Sequence, residues 1–201
     1  MSRARLTPWA AALLLLLAAV PPAAAQAASL ADYIQLRQSL ARSPSAPAHE
    51  ELERRAARLR GELLAAAARS SRVIVLSEQQ RGYEVEGRRQ VVRLVGRAGR
   101  VTLEALESAA GPAGWERAGE LEPAAYLGLV GRLLDEPALL DDLPEQRFDP
   151  NAPGPRRAVT VTVVIGEEAR EAAALTGPPY ERLSVVAAAV IEFARSIPLL
   201  P

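Results

Sequence analysis

His49 is the only histidine in the 201-residue chain, and there is no cysteine, so a zinc centre would have to assemble without most of its usual ligands. His49 stands beside Glu50, two residues after Pro47, at the start of an expected helix, where a solvated first-turn residue is the ordinary reading. A Ser-His-Asp triad would need this same histidine, and no G-x-S-x-G stretch supplies a nucleophile elbow. Lysine is absent, which removes Ser-Lys and Schiff-base chemistry. Neither a G-x-G-x-x-G nor a P-loop pattern is present to cradle a phosphate.

Carboxylate chemistry is the one enzymatic route left. Asp141, Asp142, Glu145 and Asp149 lie close together, where they could bind Ca²⁺ or divide the roles of acid and base. A carboxylate-dependent hydrolytic enzyme is therefore the alternative reading of the chain. The four lack the D-x-D-x-D-G spacing of a calcium loop, which favours a solvated helix end and loop. Glu167 and Glu168 fall at an expected hairpin tip, where charge is ordinary. No catalytic residue, metal ligand or cofactor-binding residue is assigned, and no cofactor is expected.

The remaining chemistry is that of contact. Trp115 lies in a glycine-rich stretch, and Phe148 precedes Arg156 and Arg157 in a segment that also carries Pro150, Pro153 and Pro155. Aromatic and arginine side chains are enriched at the energetic centres of interfaces, which makes Trp115, Phe148, Arg156 and Arg157 candidate partner-binding residues. The competing expectation is that Trp115 and Phe148 cap the core from their loops. The expected partner is a protein or a component of the cell envelope.

Composition narrows the partner further. All 24 basic residues are arginines, matched by 24 Asp and Glu for a net charge of zero. The two signs are interspersed, so no basic footprint for nucleic acid exists. The exclusive use of arginine matches the codon bias of a GC-rich genome.

Residues 1–25 read as a secretory signal peptide. Arg3 and Arg5 form a positive start, Trp9 to Val20 an apolar core, and Ala23-Ala24-Ala25 a small-residue site before Gln26. Twelve helical residues span about 18 Å, short of the roughly 30 Å hydrocarbon core. An uncleaved N-terminal anchor is the alternative; after cleavage no stable membrane insertion is expected. Lipidation at cysteine is excluded because none exists. The expected location is the periplasm or the medium, and a cysteine-free exported chain must rely on its core rather than on disulfides.

These residues need elements to position them. Residues 29–70 read as a helical pair. Ser29 and Asp32 form a capping pair, and Leu30, Tyr33, Ile34 and Ala41 share a face. After the Ser43–Pro47 break, Leu52, Ala56, Leu59, Leu63 and Ala66 make a narrow stripe suited to self-packing, with a short coiled coil as the alternative. Residues 72–197 read as an α+β domain. Arg72–Leu76, a segment within Tyr83–Val95, and Val101–Ala105 form an antiparallel meander, and 109–119 is expected to be loop. Glu122-Pro123 opens a helix whose inner face carries Tyr126, Leu127, Val130, Leu133 and Leu134. Ala158–Ile165 alternates strictly: Val159, Val161, Val163 and Ile165 point one way, Thr160, Thr162 and Val164 the other. Ala169–Leu175 is read as its hairpin partner, and Tyr180–Ser196 as a final helix with Leu183, Val186, Ala187, Val190, Ile191 and Ala194 inward. The expected fold is an antiparallel sheet of about five strands packed against two helices, preceded by the helical pair.

The Tyr126–Leu134 helix, Leu139–Pro144, the Val159–Ile165 strand and the Leu183–Ala194 helix follow in an order that resembles the small emfourin-type scaffold. Known members of that family include inhibitors of thermolysin-like metalloproteases. The resemblance covers about 130 residues and implies a small α+β domain. The family carries an acidic residue and an aromatic at the penultimate hairpin. Ala158 and Thr160 hold those places here, and the N-terminal helices have no counterpart. No inhibitory residue is therefore carried over.

Overall fold

A computed structural model describes residues 29–42, 46–81, 84–108, 114–140, 156–175 and 181–201. The expected signal peptide, Tyr83, the Asp141–Asp149 acidic group and Phe148 lie outside the described residues.

Ser70–Arg81 (β1) and Glu84–Arg97 (β2) are the middle strands of a six-stranded, wholly antiparallel sheet. Arg100–Ser108 (β3) and Trp115–Leu121 (β4) continue the meander to one edge. The chain then crosses back through helices Pro123–Leu134 (α3) and Pro137–Leu140 (α4) to Arg156–Ile165 (β5). β5 pairs with β1, and Glu168–Leu175 (β6) forms the far edge, giving the order β4-β3-β2-β1-β5-β6. Two earlier helices, Leu30–Arg42 (α1) and Ala46–Arg69 (α2), and the last, Glu181–Ser196 (α5), complete an α+β fold.

The alternating strand Ala158–Ile165 is second from an edge; the middle belongs to β1 and β2. One expectation changes. Residues 115–121, expected to be loop, form the sixth strand. Its inward positions are Trp115, Arg117, Gly119 and Leu121, a row too polar and too poor in β-branched residues to read as a strand. Gly119 leaves room for Leu199, which covers it: a Cβ would lie 3.0 Å from Leu199 Cδ1, and that side chain would have to shift.

The alternation predicted for β5 holds except at Val164. Val159, Val161, Val163 and Ile165 are buried and Thr160 and Thr162 partly exposed, whereas Val164, expected on their side, is buried at 8 %. The same parity runs through Val73 and Val75, Val92 and Leu94, and Val101, Leu103 and Ala105, making one continuous apolar face. Every helix lies on that face. Tyr33 of α1, Leu63 and Ala67 of α2, Tyr126 and Val130 of α3, Leu139 of α4 and Val190 of α5 all belong to one hydrophobic cluster with it. The stripe on α2 packs on its own chain, and the helical pair shares the core of the sheet.

Arginines and hydroxyls close the helix ends, whose last carbonyls have no partner within a helix. Arg60 donates to Gly131 O and to both oxygens of Asp135, where the Tyr33 hydroxyl also donates to Asp135. Ser71 Oγ donates to Ala67 O and accepts from the Tyr126 hydroxyl. Gly96 lies beneath this pair: a Cβ would stand 2.8 Å from Tyr126 Cε1 and 2.9 Å from Ser71 Oγ. At the other edge Glu168 accepts from Ser29 Oγ and from the Ala31 amide, so a hairpin-tip carboxylate caps α1.

Candidate functional site

β3 alternates strictly, and extending the parity of Val101, Leu103 and Ala105 by one step brings a carboxylate inside: the Glu107 side chain is 2 % exposed. Its neighbours across the sheet are Gln90 on β2 and Trp115 on β4, so three side chains form one inward row. Gln90 Nε2 donates to Glu107 Oε2 at 2.7 Å and Trp115 Nε1 donates to it at 2.6 Å. From above, α5 supplies Arg195, whose Nη2 reaches the same oxygen at 2.9 Å. Arg88 Nε holds Oε1 at 2.8 Å. The Arg195 guanidinium also stands over the Trp115 ring, 5.1 Å from its centroid.

Burial opposes the charged form of Glu107. The hydrogen bonds from Gln90 and Trp115 and the guanidiniums of Arg88 and Arg195 outweigh it, and hold the carboxyl below the ordinary glutamate range. Glu107 Oε2 accepts three donors and Oε1 holds Arg88, with almost no side-chain surface left exposed. Its effect is mechanical: β2, β3, β4 and the end of α5 are pinned to one atom group. Two residues along β4, Arg117 donates to Ala194 O, Arg195 O and Ile197 O, which fixes the same helix end.

The other face of these strands is different. Outside, one cross-strand row reads Ala173, Thr160, Leu76, Val91, Leu106 and Glu116 from β6 to β4. Leu106 is 47 % exposed, and Leu76 and Val91 are half-buried by their lateral neighbours. Ile74 and Val95 lie on the same side, and none of these five joins the hydrophobic cluster that holds the helices. Charge flanks the apolar row. Arg93 pairs with Glu104 at 3.2 Å in the row on one side, and Arg89 with Glu78 at 2.9 Å on the other. Between them a shallow depression of about 600 Å³ is lined by Val91, Arg93, Glu104, Leu106, Glu116 and Ala118. Among the described residues no helix covers this face. An uncovered antiparallel sheet normally carries polar side chains outward; here Leu76, Val91 and Leu106 put an apolar row there instead.

The residues proposed from sequence are not brought together. Trp115 lies on the inner face and spends its N–H on Glu107. Arg157 is exposed near the start of β5 at the same end of the sheet. Four strand spacings separate it from Trp115, roughly 19 Å at about 4.8 Å each. Arg156 opens β5 beside it, and Phe148 lies outside the described residues. Sequence reasoning missed Glu107 and Leu106 alike, although an acid at a buried parity beside an apolar residue at an exposed one was a readable signal. His49 lies on α2 with Nε2 3.3 Å from Glu53 Oε1. Among the described residues no group of three or more His, Asp or Glu side chains is placed to hold a metal ion, and no helix is long and apolar enough to cross a membrane. No protein-family model matches the sequence, and no curated protein matches it either.

Proposed function

We propose that the chain is an exported, non-catalytic domain that binds a protein or cell-envelope partner through the outer face of its sheet. One observation carries the binding reading: the Leu76–Val91–Leu106 row lies outside the core and between two ion-paired rows. An apolar centre with a charged rim is the anatomy of a specific interface. Export rests on the positive start, apolar core and small-residue site of residues 1–25.

A photo-crosslinking amino acid at Leu106, with controls at Arg58 on α2 and Val185 on α5, tests the face in cells that make the chain naturally. Adducts are expected from position 106 and not from position 58, on protein whose N-terminus lies near Gln26. Equal adduct yields at 106 and 58 would overturn the binding face; an intact Met1 on cytosolic protein would overturn export. Adducts from 185 alone would move the interface to the groove between α3 and α5, which Leu129, Leu133, Val186 and Val190 line.

A further inference from the structure

We infer that the occupant of this face is a second copy of the same chain, packed sheet to sheet about a two-fold axis that runs parallel to the strands between β2 and β3. The inference rests on the reading of the outer face as an interface, and the arrangement of charge on that face singles out the occupant.

A two-fold of this orientation exchanges β2 with β3 and β1 with β4 while leaving each cross-strand row at its own level. Rows therefore meet themselves, with their members in reversed order. Val91 meets Leu106 of the second copy, and Leu106 meets its Val91. In the adjacent row Arg93 meets Glu104 and Glu104 meets Arg93, which turns the pair within each copy into a ring of four alternating charges. One row further on, Val95 meets Thr102 and Arg72 meets Glu120. Ile74 meets Ala118 at the two ends of the Arg93–Glu104 row. The charge that meets an apolar side chain, Glu116 opposite Leu76, belongs to an edge strand, where its carboxylate can turn outward to water. A two-fold running across the strands through the same row would instead set Arg93 on Arg93 and Glu104 on Glu104. The complementarity at these two charged contacts thus favours a second copy about the axis along the strands, while the flanking Arg89 meets Ser108 and keeps Glu78 within its own copy. Without Arg3 and Arg5 the mature chain carries 22 arginines against 24 acids, a formal charge of −2, so long-range repulsion between two copies is slight.

Size sets the strength. Four strands at about 4.8 Å spacing and five or six residues at about 3.3 Å give a flat footprint of roughly 400 Å² per copy. Counting both copies that is about 800 Å², below the roughly 1,200 Å² at which standard specific interfaces begin, so the dimer is weak and transient and forms only at high protein concentration.

Sedimentation equilibrium of the mature chain, from about 1 to several hundred micromolar, is expected to show a monomer–dimer equilibrium. Arg93→Glu and Glu104→Arg are each expected to weaken self-association at least tenfold, since each makes all four central charges alike. Mixed in equal amounts, the two variants are expected to form a one-to-one heterodimer within a few-fold of the original affinity. A thermal melt checks that each variant folds, and the pair Arg72→Glu with Glu120→Arg repeats the logic at the second charged contact. A monomer at every concentration overturns the inference while leaving the binding face to the crosslinks from position 106. A dimer that both charge reversals leave intact, or one that requires residues 1–28, overturns it as well. Failure of the mixture to associate where each variant alone is monomeric overturns the axis, and with it the proposal.

Discussion

Glu107 and Trp115 face one another across β3 and β4, and the indole N–H donates to the carboxylate at 2.6 Å. The contact fastens the edge strand β4 through side chains, and the Arg195 guanidinium above it extends the tie to the last helix. The exposed row that carries Leu106 is therefore held from behind by a charged cluster.

Replacing Glu107 tests that cluster. Glu107→Ala leaves the buried Gln90 amide and the Trp115 indole without their acceptor, at about 1–3 kcal/mol for each donor left unsatisfied. The half-exposed Arg88 and Arg195 can turn to water and add little. The folded-state carboxyl is held below its unfolded value, so its contribution is complete above about pH 4.3. That contribution is lost as pH falls from there through the depressed folded value. Denaturant midpoints measured at pH 7 and at pH 3 should therefore fall more steeply for the natural chain than for Glu107→Gln. The same acid dependence in both proteins would show that the carboxylate is not ionised in the fold.

The register of β5 is tested by two neighbours. Val161 is fully buried, and Thr162 faces outward with its hydroxyl donating to Glu171. Val161→Asp places an unpaired carboxylate among apolar side chains. The cost of several kcal/mol is a large part of an ordinary domain stability of about 5–15 kcal/mol. Thr162→Asp keeps its charge in water and meets only the repulsion of Glu171. A melting temperature that drops sharply for Val161→Asp and by a few degrees for Thr162→Asp is the expected result. Equal losses would show that the outer face is covered at this point.

The helical pair is tested by removing it. A chain beginning at Ser70 loses Leu30, Tyr33, Leu36 and Leu63 from the core and uncovers Tyr126 and Val130. Four large apolar side chains at about 1.5–3 kcal/mol each amount to most of the stability of a small domain. Calorimetry of the shortened chain should show no cooperative transition. A sharp transition would mean that residues 70–201 fold without the pair.

What the sequence determined by itself was which faces would be buried. The alternation of Val159, Val161, Val163 and Ile165, and the spacing of Leu183, Val186, Ala187, Val190 and Ile191, placed these side chains inward. Burial of one face demands a period of 2 or 3.6, and that demand is local. The α+β class followed from the same periods. Only the tertiary structure decided that Trp115–Leu121 is a strand, because its inward side chains are polar and find their partners elsewhere. Arg117 reaches helix carbonyls 77 to 80 positions away, and Glu107 meets Arg195 across 88 positions. Glu168 caps a helix 137 positions earlier in the chain. Strand order, too, was decided in three dimensions: β5 returned to pair with β1, which put Thr160 beside Leu76 and β6 at the far edge. Hydropathy along the chain reports what must leave water, whereas cross-strand neighbours and charge partners depend on which distant segments meet.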